Sequence, residues 1–176
     1  VAVLSSSDLE KKDVDDLRDL QNATPSLTIN DNGILTFANI RGIGLNLSSP
    51  TVVSGVATYR DGLFAPSPLF LNESLFDIAS IEVLRGPQGT FVGQNSTAGA
   101  IFQNSRSPEL GGMTGYIQAE VANYNLIKLE GAVNLPVSDT FAVRLAVLRE
   151  DRDSYYENTR GGPTPGDVHQ SSARIG

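Results

Sequence analysis

Three charged residues lie in or next to apolar runs of the chain. Arg41 directly follows the run Phe37–Ile40. Glu82 lies inside the run Ile81–Leu84, and Arg85 follows that run. A charge buried beside apolar side chains is costly unless it is paired, so these residues are expected either at exposed strand edges or in an ion network. Arginine suits such a network, because its planar guanidinium binds a carboxylate through two hydrogen bonds.

A dense series of turn-forming residues follows the second arginine. Glycines recur here closely enough to predict close approach of the backbone and positive φ at several points. The expected structural glycines are Gly42, which follows the first arginine, and Gly86, Gly89, Gly93 and Gly99. A glycine-rich loop can also hold a phosphate, but no Lys-Ser or Lys-Thr pair follows these glycines. The segment therefore does not predict a nucleotide site.

The other reactive side chains do not form a recognisable catalytic or metal site. His169 is the only histidine, and the chain has no cysteine. His169 lies in a polar stretch rich in Gly and Pro, where a solvated residue is a simpler interpretation than a metal ligand. Asp151 and Asp153 lack the Gly and the closing Glu of a calcium loop. The sequence predicts no enzyme, no cofactor and no metal, and its net charge of -7 argues against nucleic acid as a partner.

Residues 1–108 have the pattern of a mixed α+β unit. Ser7 or Asp8 is expected to cap a helix that ends near Asn22, before Thr24-Pro25. Alternating apolar residues and turn signals predict strands at Leu27–Ile29, Ile34–Ile40, Val52–Tyr59 and Ile78–Leu84, with an Asn32-Gly33 turn and a short helix at Phe70–Phe76.

After Pro108, apolar and polar residues alternate over three predicted strands near 116–121, 127–134 and 141–147. We expect a turn at Leu135–Asp139, a long surface loop at about 150–170 and the start of a fourth strand at Ser172–Ile175. This alternation fits an antiparallel sheet on a soluble core. It also fits transmembrane barrel strands whose apolar residues face lipid. Alternation alone leaves both interpretations open.

Three motifs, in order along the chain, resemble one family. Residues 37–44 read FANIRGIG, residues 56–63 read VATYRDGL, and residues 81–101 read IEVLRGPQGTFVGQNSTAGAI. Together they resemble the plug domain of TonB-dependent outer-membrane receptors, from near Val1 to about Gly176. The resemblance implies an α+β plug domain at 1–108, followed at 109–176 by the first antiparallel strands of a large transmembrane β-barrel. Plugged barrels have about 22 strands, so the residues after 110 are too few to close one, and we expect a fragment of a longer product.

The resemblance implies an outer-membrane transport receptor of a Gram-negative bacterium, without enzymatic activity. Such a receptor binds a scarce nutrient, such as a ferric siderophore or a similar metal complex, and imports it with energy transmitted by TonB. TonB would bind a short box expected upstream of Val1. Arg41, Glu82 and Arg85 match the positions at which the family's plug is locked to carboxylates on the inner barrel wall. The sequence does not identify those wall carboxylates.

The same resemblance places ligand contacts on apical loops of the plug, at Leu45–Pro50, Phe64–Pro68 and Phe91–Asn95. The candidate substrate-binding residues in these loops are Asn46, Ser48, Phe64, Phe91, Gln94 and Asn95. Expected partners are therefore TonB, a small-molecule ligand such as a metal chelate, and outer-membrane lipid. The alternative is a soluble α+β binding or interaction module with no transport role, which would stay in solution without detergent.

Overall fold

The computed structural model of the chain describes residues 1–31, 35–44, 54–67, 71, 74–93, 95–156, 159 and 166–176. These residues form two compact units, Val1–Arg106 and Ser107–Gly176. The predicted Asn32-Gly33 turn lies outside the described residues, as does part of the predicted Phe70–Phe76 helix, of which residues 74–76 are not helical. Within the described residues, no helix is long and apolar enough to cross a membrane.

The first unit is built on two β-sheets. Its strands are β1 (Ala2–Ser5), β2 (Leu27–Asp31), β3 (Thr36–Ile40), β4 (Ile43–Gly44), β5 (Val56–Arg60), β6 (Leu63–Phe64), β7 (Ile78–Arg85) and β8 (Gly99–Ser105). The larger sheet has the order β1-β7-β8-β5-β6, and the smaller has the order β2-β3-β4. In the larger sheet β5 and β8 are parallel, and the other neighbouring pairs are antiparallel.

One apolar cluster joins side chains from both sheets of the first unit. Ile40 of β3, Ile81 and Val83 of β7, and Ile101 of β8 have no exposed surface. Burial of each such side chain contributes roughly 1.5–3 kcal/mol to the free energy of folding. On β7 the buried residues alternate with half-buried Glu82, because successive side chains of a strand point to opposite faces.

The prediction of one helix that runs to Asn22 is wrong. The chain forms α1 (Ser6–Lys11), leaves the helical conformation, and forms a separate short helix α2 (Leu20–Ala23). Asp13 interrupts the helix with a φ of 53°, in the left-handed region.

The side chain of Asp19 organises the segment between these helices. Its Oδ2 accepts hydrogen bonds from the backbone N–H groups of Asp15 and Asp16, each at 3.1 Å. Short carboxylate side chains compete in this way with the hydrogen bonds of a helix. Leu17 and Leu20 are nevertheless buried, as their apolar spacing predicts. Apolar periodicity therefore identified the core residues correctly but not the local backbone conformation.

The cap of α1 is Ser5, which lies two positions before the predicted Ser7 and three before the predicted Asp8. The Ser5 hydroxyl accepts from the Asp8 N–H at 3.3 Å, and the Asp8 carboxylate accepts from the Ser5 N–H at 3.1 Å. This capping box places Asp8 in the first turn of the helix. Hydrogen bonds from Ser5 hold the pKa of the Asp8 carboxyl below its ordinary value. Its contribution to stability is therefore complete above the ordinary pKa and is lost as the pH falls through the lowered one.

The second unit is an antiparallel sheet of four consecutive strands, in the order β12-β11-β10-β9. They are β9 (Thr114–Ala122), β10 (Leu126–Ser138), β11 (Phe141–Arg152) and β12 (Val168–Ile175). The predicted turn at Leu135–Asp139 is wrong, because β10 continues to Ser138. The ladder shifts register between Pro136 and Ser138, and such irregularities accommodate a residue that has no N–H to donate. The ends of the loop expected at about 150–170 are instead strand, because β11 continues to Arg152 and β12 begins at Val168.

Two glycines of the first unit offer a matched test of backbone packing. Gly99 has a φ of +152°, and a Cβ added there would lie 2.1 Å from the Leu84 carbonyl oxygen and 2.8 Å from Ile40 Cδ1. Gly89 begins the short helix α3 (Gly89–Val92), and a Cβ added there would meet nothing within 4 Å. Gly99→Ala is therefore expected to lower the free energy of unfolding by more than about 1 kcal/mol. Gly89→Ala is expected to be neutral or stabilising.

Urea unfolding of the whole protein, followed by proteolysis within residues 1–106, measures both effects. Both variants replace a glycine by alanine and so add one methyl group, which means that any difference between them comes from the position. Equal stability of the two variants would contradict the close backbone approach at Gly99.

Candidate functional site

Arg41 occupies the tip of the β3–β4 hairpin. Ile40 pairs with Ile43, so Arg41 and Gly42 form a two-residue turn with φ values of 55° and 76°. A type I′ turn needs positive φ at both positions and favours Asn or Gly at the first. An arginine held in this region costs of order 1–3 kcal/mol. The exposed Arg41 side chain is thus present despite local strain, which points to a role outside the turn.

Arg85 reaches the same part of the first unit. Its Nη1 donates to the Pro25 carbonyl at 3.4 Å. The Arg41 N–H donates to the carbonyl of the next residue, Ser26, at 2.8 Å. The structure therefore brings the two predicted arginines to one turn, Pro25–Ser26. Neither guanidinium forms an ion pair with a described residue.

Glu82 lies apart from the two arginines. Three positions separate it from Arg85 along β7, so the two side chains leave opposite faces of the strand. The Glu82 carboxylate accepts from Asn104 Nδ2 at 3.2 Å, and the same amide donates to Ser80 Oγ at 3.1 Å. The three residues expected to lock the plug to the wall are thus divided: Arg41 and Arg85 reach one turn, and Glu82 lies elsewhere. Its assignment to contacts with a barrel wall stays a prediction.

Of the expected ligand-binding residues, two are described with their side chains. Phe64 and Asn95 line one cleft, together with Thr36, Phe37 and Thr58. The Thr36 hydroxyl is fully buried and has no hydrogen-bond partner within the described residues. The cleft therefore brings together an aromatic ring and an amide, with the Thr36 hydroxyl buried in its lining. Outside the described residues lie Asn46, Ser48, Gln94 and the side chain of Phe91.

Tyr59 is a residue of this region that the sequence did not single out. Its ring stacks on Phe102 with centroids 5.0 Å apart and lies 5.5 Å from the ring of Phe64. Its hydroxyl donates to the carbonyl of Val92, at the end of α3. Tyr59 therefore ties β5 and β6 to the glycine-rich turn. The sequence feature that could have identified Tyr59 is its position in the VATYRDGL motif.

The predicted structural glycines differ in their backbone conformations. Gly89, as noted, begins a helix and has neither a positive φ nor close neighbours. Positive φ occurs at Gly42, Gly86, Gly93 and Gly99.

The second unit has its apolar and polar surfaces reversed relative to a water-soluble sheet. We define its apolar face by the outward residues Ile117, Val121, Ile127, Leu129 and Val147, which are 46–80% exposed. The opposite, polar face carries Lys128, Asn134 and Arg144, which are 8%, 0% and 6% exposed. Exposed apolar and buried polar side chains are costly in water. They are the arrangement expected of strands that face lipid on one side.

The height of the apolar face matches a membrane. From Ile127 to Val137, β10 spans about 34 Å at about 3.4 Å per residue. A strand tilt of about 40° reduces this to about 26 Å along the membrane normal, close to the ~25 Å apolar band of transmembrane barrels. Phe141 lies at one end of the sheet, and Tyr124 and Tyr155 lie at the other, all more than half exposed. Aromatic residues at both ends are typical of the two membrane interfaces.

The apolar face ends in charged residues on β11 and β12. Arg149 donates to both carboxylate oxygens of Asp151 at 2.5 Å, and His169 Nδ1 lies 2.9 Å from Asp151 Oδ1. On β9 and β10, the row of Asp151 and His169 holds apolar Val121 and Ile127, and the row of Arg149 holds apolar Ala119 and Leu129. Because barrel strands are tilted, residues paired across four strands differ by about 9 Å in height along the membrane normal. Charged residues on β11 and β12 can therefore lie outside the apolar band while their paired residues on β9 and β10 lie inside it.

The polar face contains carboxylates that the sequence did not identify. Lys128 stands in register between Glu120 of β9 and Glu150 of β11. The hydroxyl of Tyr116 donates to the carboxylate of Glu130 on the neighbouring strand. The alternation of polar and apolar residues predicts that these side chains share one face, but it does not predict their partners.

A family model described as the TonB-dependent Receptor Plug Domain matches residues 1–100. The pesticin receptors of Yersinia enterocolitica and Yersinia pestis are 28% identical to the chain over 137 residues. The alignments cover 78% of the chain and 20% of each receptor, so the chain spans about a fifth of the length of the curated relatives it matches.

Two solved structures share the fold. The ferric yersiniabactin uptake receptor FyuA from Yersinia pestis superposes with a TM-score of 0.87 at 24% identity, over 99% of this chain and 28% of that one. The siderophore receptor PiuA from Acinetobacter baumannii superposes with a TM-score of 0.69 at 23% identity, over 86% of this chain and 20% of that one. The fold class predicted from the three motifs is confirmed.

Proposed function

The chain belongs to the TonB-dependent receptor plug-domain family, and from this membership we propose that it forms the plug and the first barrel strands of an importer in the outer membrane of a Gram-negative bacterium. The plug comprises residues 1–108 and the wall strands residues 109–176. One observation supports this most directly: the apolar face of the second unit is exposed, whereas Lys128, Asn134 and Arg144 on its polar face are buried. A soluble binding module would have the opposite arrangement.

The proposed cargo is a ferric siderophore or a similar metal chelate. Support comes from similar structures, which include a ferric yersiniabactin uptake receptor and a siderophore receptor. Phe64 and Asn95, which lie at one cleft of the plug, supply a ring and an amide of the kinds that contact a chelate by stacking and hydrogen bonds. The other apical candidates, Asn46, Ser48, Phe91 and Gln94, would add contacts of the same kinds.

In this mechanism the plug closes a pore that would otherwise leak. Arg41 and Arg85, which meet at the Pro25–Ser26 turn, pair with carboxylates of the inner wall, and Glu82 contributes a separate charged contact. Ion pairs suit a closure that must open and re-form, because their geometry is restored when the plug returns. TonB, bound through a box upstream of Val1, transmits the energy of the proton gradient, about 2.3 kcal/mol per charge per 100 mV.

Uptake of a panel of radiolabelled ferric chelates by cells that carry the full-length receptor tests this function. We expect accumulation of at least one chelate, and loss of that accumulation when a protonophore collapses the gradient or when TonB is deleted. A receptor gene whose deletion leaves uptake of every chelate unchanged would contradict the proposed cargo. Recovery of the full-length protein in the soluble fraction, without detergent, would instead favour the soluble binding module.

A further inference from the structure

The amide of Asn134 holds a segment of chain that precedes the first strand of the sheet. Its Oδ1 accepts from the Glu109 N–H at 2.9 Å, and its Nδ2 donates to the Glu109 carbonyl at 2.8 Å. The same Nδ2 donates to the Gly112 carbonyl at 3.1 Å. Asn134 is itself fully buried on the polar face of β10. One side chain therefore makes three hydrogen bonds to the backbone of a segment that lies outside the ladder.

The held segment crosses the polar face along a single row of the sheet. Thr114, Asn134, Arg144 and Gly176 are neighbours in that row, on β9, β10, β11 and the end of β12. Pro108 lies against Gly176 at one end, 3.5 Å from the position that a Cβ on that glycine would take. The segment then passes Asn134 and enters β9 at Thr114. The segment thus lies across the polar face of all four strands of this unit.

Hydrogen bonds, rather than burial, hold this segment in place. Glu109, Leu110, Gly111 and Met113 are exposed, and Leu110 and Met113 are 52% and 73% exposed. By contrast, β10 is paired on both sides along most of its length. Asn134 therefore connects a weakly packed segment to the most constrained strand of the sheet.

Asparagine is suited to this role because its side chain carries both a donor pair and an acceptor. Aspartate would keep the acceptor for the Glu109 N–H but would lose both donors. Alanine would lose every contact and would leave the Glu109 N–H and two carbonyls without the partner they have now.

We propose that Asn134 is a positioning residue that anchors Glu109–Gly112 to the barrel wall and sets the limit of the movable plug. The two compact units part between Arg106 and Ser107, just before the anchor. Displacement of the plug during transport therefore ends at Ser107–Pro108, and the segment from Glu109 onward stays with the wall. This role rests on the proposed function, since it concerns the part of the chain that transport displaces.

Native-state hydrogen exchange of the full-length receptor in lipid tests this anchor. As urea is raised, the amides of β7 and β8 are expected to exchange first, while the Glu109 amide keeps the protection of the β9–β10 ladder. Asn134→Ala is expected to speed exchange at Glu109 by about tenfold or more and to leave the β10 ladder protected. Asn134→Asp keeps the acceptor but sets a carboxylate oxygen against the Glu109 and Gly112 carbonyls, so it is also expected to lose protection at Glu109. Gln118→Ala, on the same polar face, is the control and should change nothing at Glu109.

Exchange of Glu109 together with β7 and β8 would overturn the anchor, as would unchanged protection of Glu109 in Asn134→Ala. If Asn134→Ala fails to assemble, the order of exchange in the unmodified receptor decides the question by itself. The measurement does not depend on cargo. A protected Glu109 in a receptor that imports no chelate would contradict the proposed function alone, and a transporting receptor whose Glu109 exchanges with the plug would contradict the anchor alone.

Discussion

Ile117→Arg is expected to weaken assembly of the full-length receptor by about 2–4 kcal/mol, although the parent side chain is 80% exposed. Ile117 lies in the middle row of the apolar face, in register with Gly131, which pairs in turn with Val147. A guanidinium there would enter the hydrocarbon of the bilayer. At an exposed position in water the same change would stay within about 0.5 kcal/mol. Urea titration of folding into lipid vesicles, read as the shift in mobility of unboiled protein on a gel, measures the difference.

Gln118→Arg is the matched control for this substitution. Gln118 is the next residue of β9 and faces the opposite side of the sheet, with the polar residues. We expect it to fold within about 0.5 kcal/mol of the parent, since it adds a charge to a surface that already carries charges. Equal tolerance of arginine at 117 and 118 would mean that the apolar face does not contact lipid.

Arg41→Ala combined with Arg85→Ala is expected to loosen the closure of the receptor. The Arg85 guanidinium donates to the Pro25 carbonyl, and the Arg41 backbone N–H donates to the Ser26 carbonyl. Neither guanidinium forms an ion pair with a described residue. If they pair with buried wall carboxylates, removing both leaves those charges unpaired at a cost of about 3–5 kcal/mol. Cells should become more sensitive to antibiotics too large for ordinary porins and should import chelate more slowly. Minimum inhibitory concentrations and uptake rates report the two effects.

Arg41→Asn separates the charge of Arg41 from its backbone conformation. Asparagine tolerates the left-handed region, so the hairpin turn should gain about 1 kcal/mol or less in stability, whereas the charged contact is lost. A more stable receptor that nevertheless leaks would assign the arginine to closure and not to folding. Parental permeability in both Arg41→Asn and the double alanine variant would remove Arg41 and Arg85 from the lock.

The fold was predictable mainly where the chain carries dense, local signals. The R-G motifs, the D-G turn and the period-two alternation after Pro108 were enough for the fold class and for the strands from Ile78 onward. The helix expected to reach Asn22 was predicted from apolar spacing, which reports burial. Its backbone is instead broken at Asp13, and beyond that break the Asp19 carboxylate accepts from the N–H groups of Asp15 and Asp16 in place of helix hydrogen bonds. Pro136 suggested a turn because a proline usually ends a strand, but a register shift in the ladder accommodates it.

The site was predictable only in part, because its contacts join distant residues. Arg41 and Arg85 were identified from their motifs, but their meeting at Pro25–Ser26 depends on the pairing of β2 with β3. Glu82 belonged to the same motif as Arg85, yet strand geometry sends the two side chains to opposite faces. Asn134 gave no local signal at all, since the groups that it holds lie more than twenty residues earlier in the chain.

The most direct measurement is the environment of the apolar face in the folded, full-length receptor. This chain contains no cysteine, so spin labels can be attached singly through Ile117→Cys, Val147→Cys and, as the control, Gln118→Cys. Oxygen concentrates in the hydrocarbon of a bilayer, and a charged nickel chelate stays in water. We predict that labels at 117 and 147 collide mainly with oxygen and hardly with the nickel chelate, and that the label at 118 shows no such preference. Free access of the nickel chelate to positions 117 and 147 would contradict lipid contact and, with it, the outer-membrane importer.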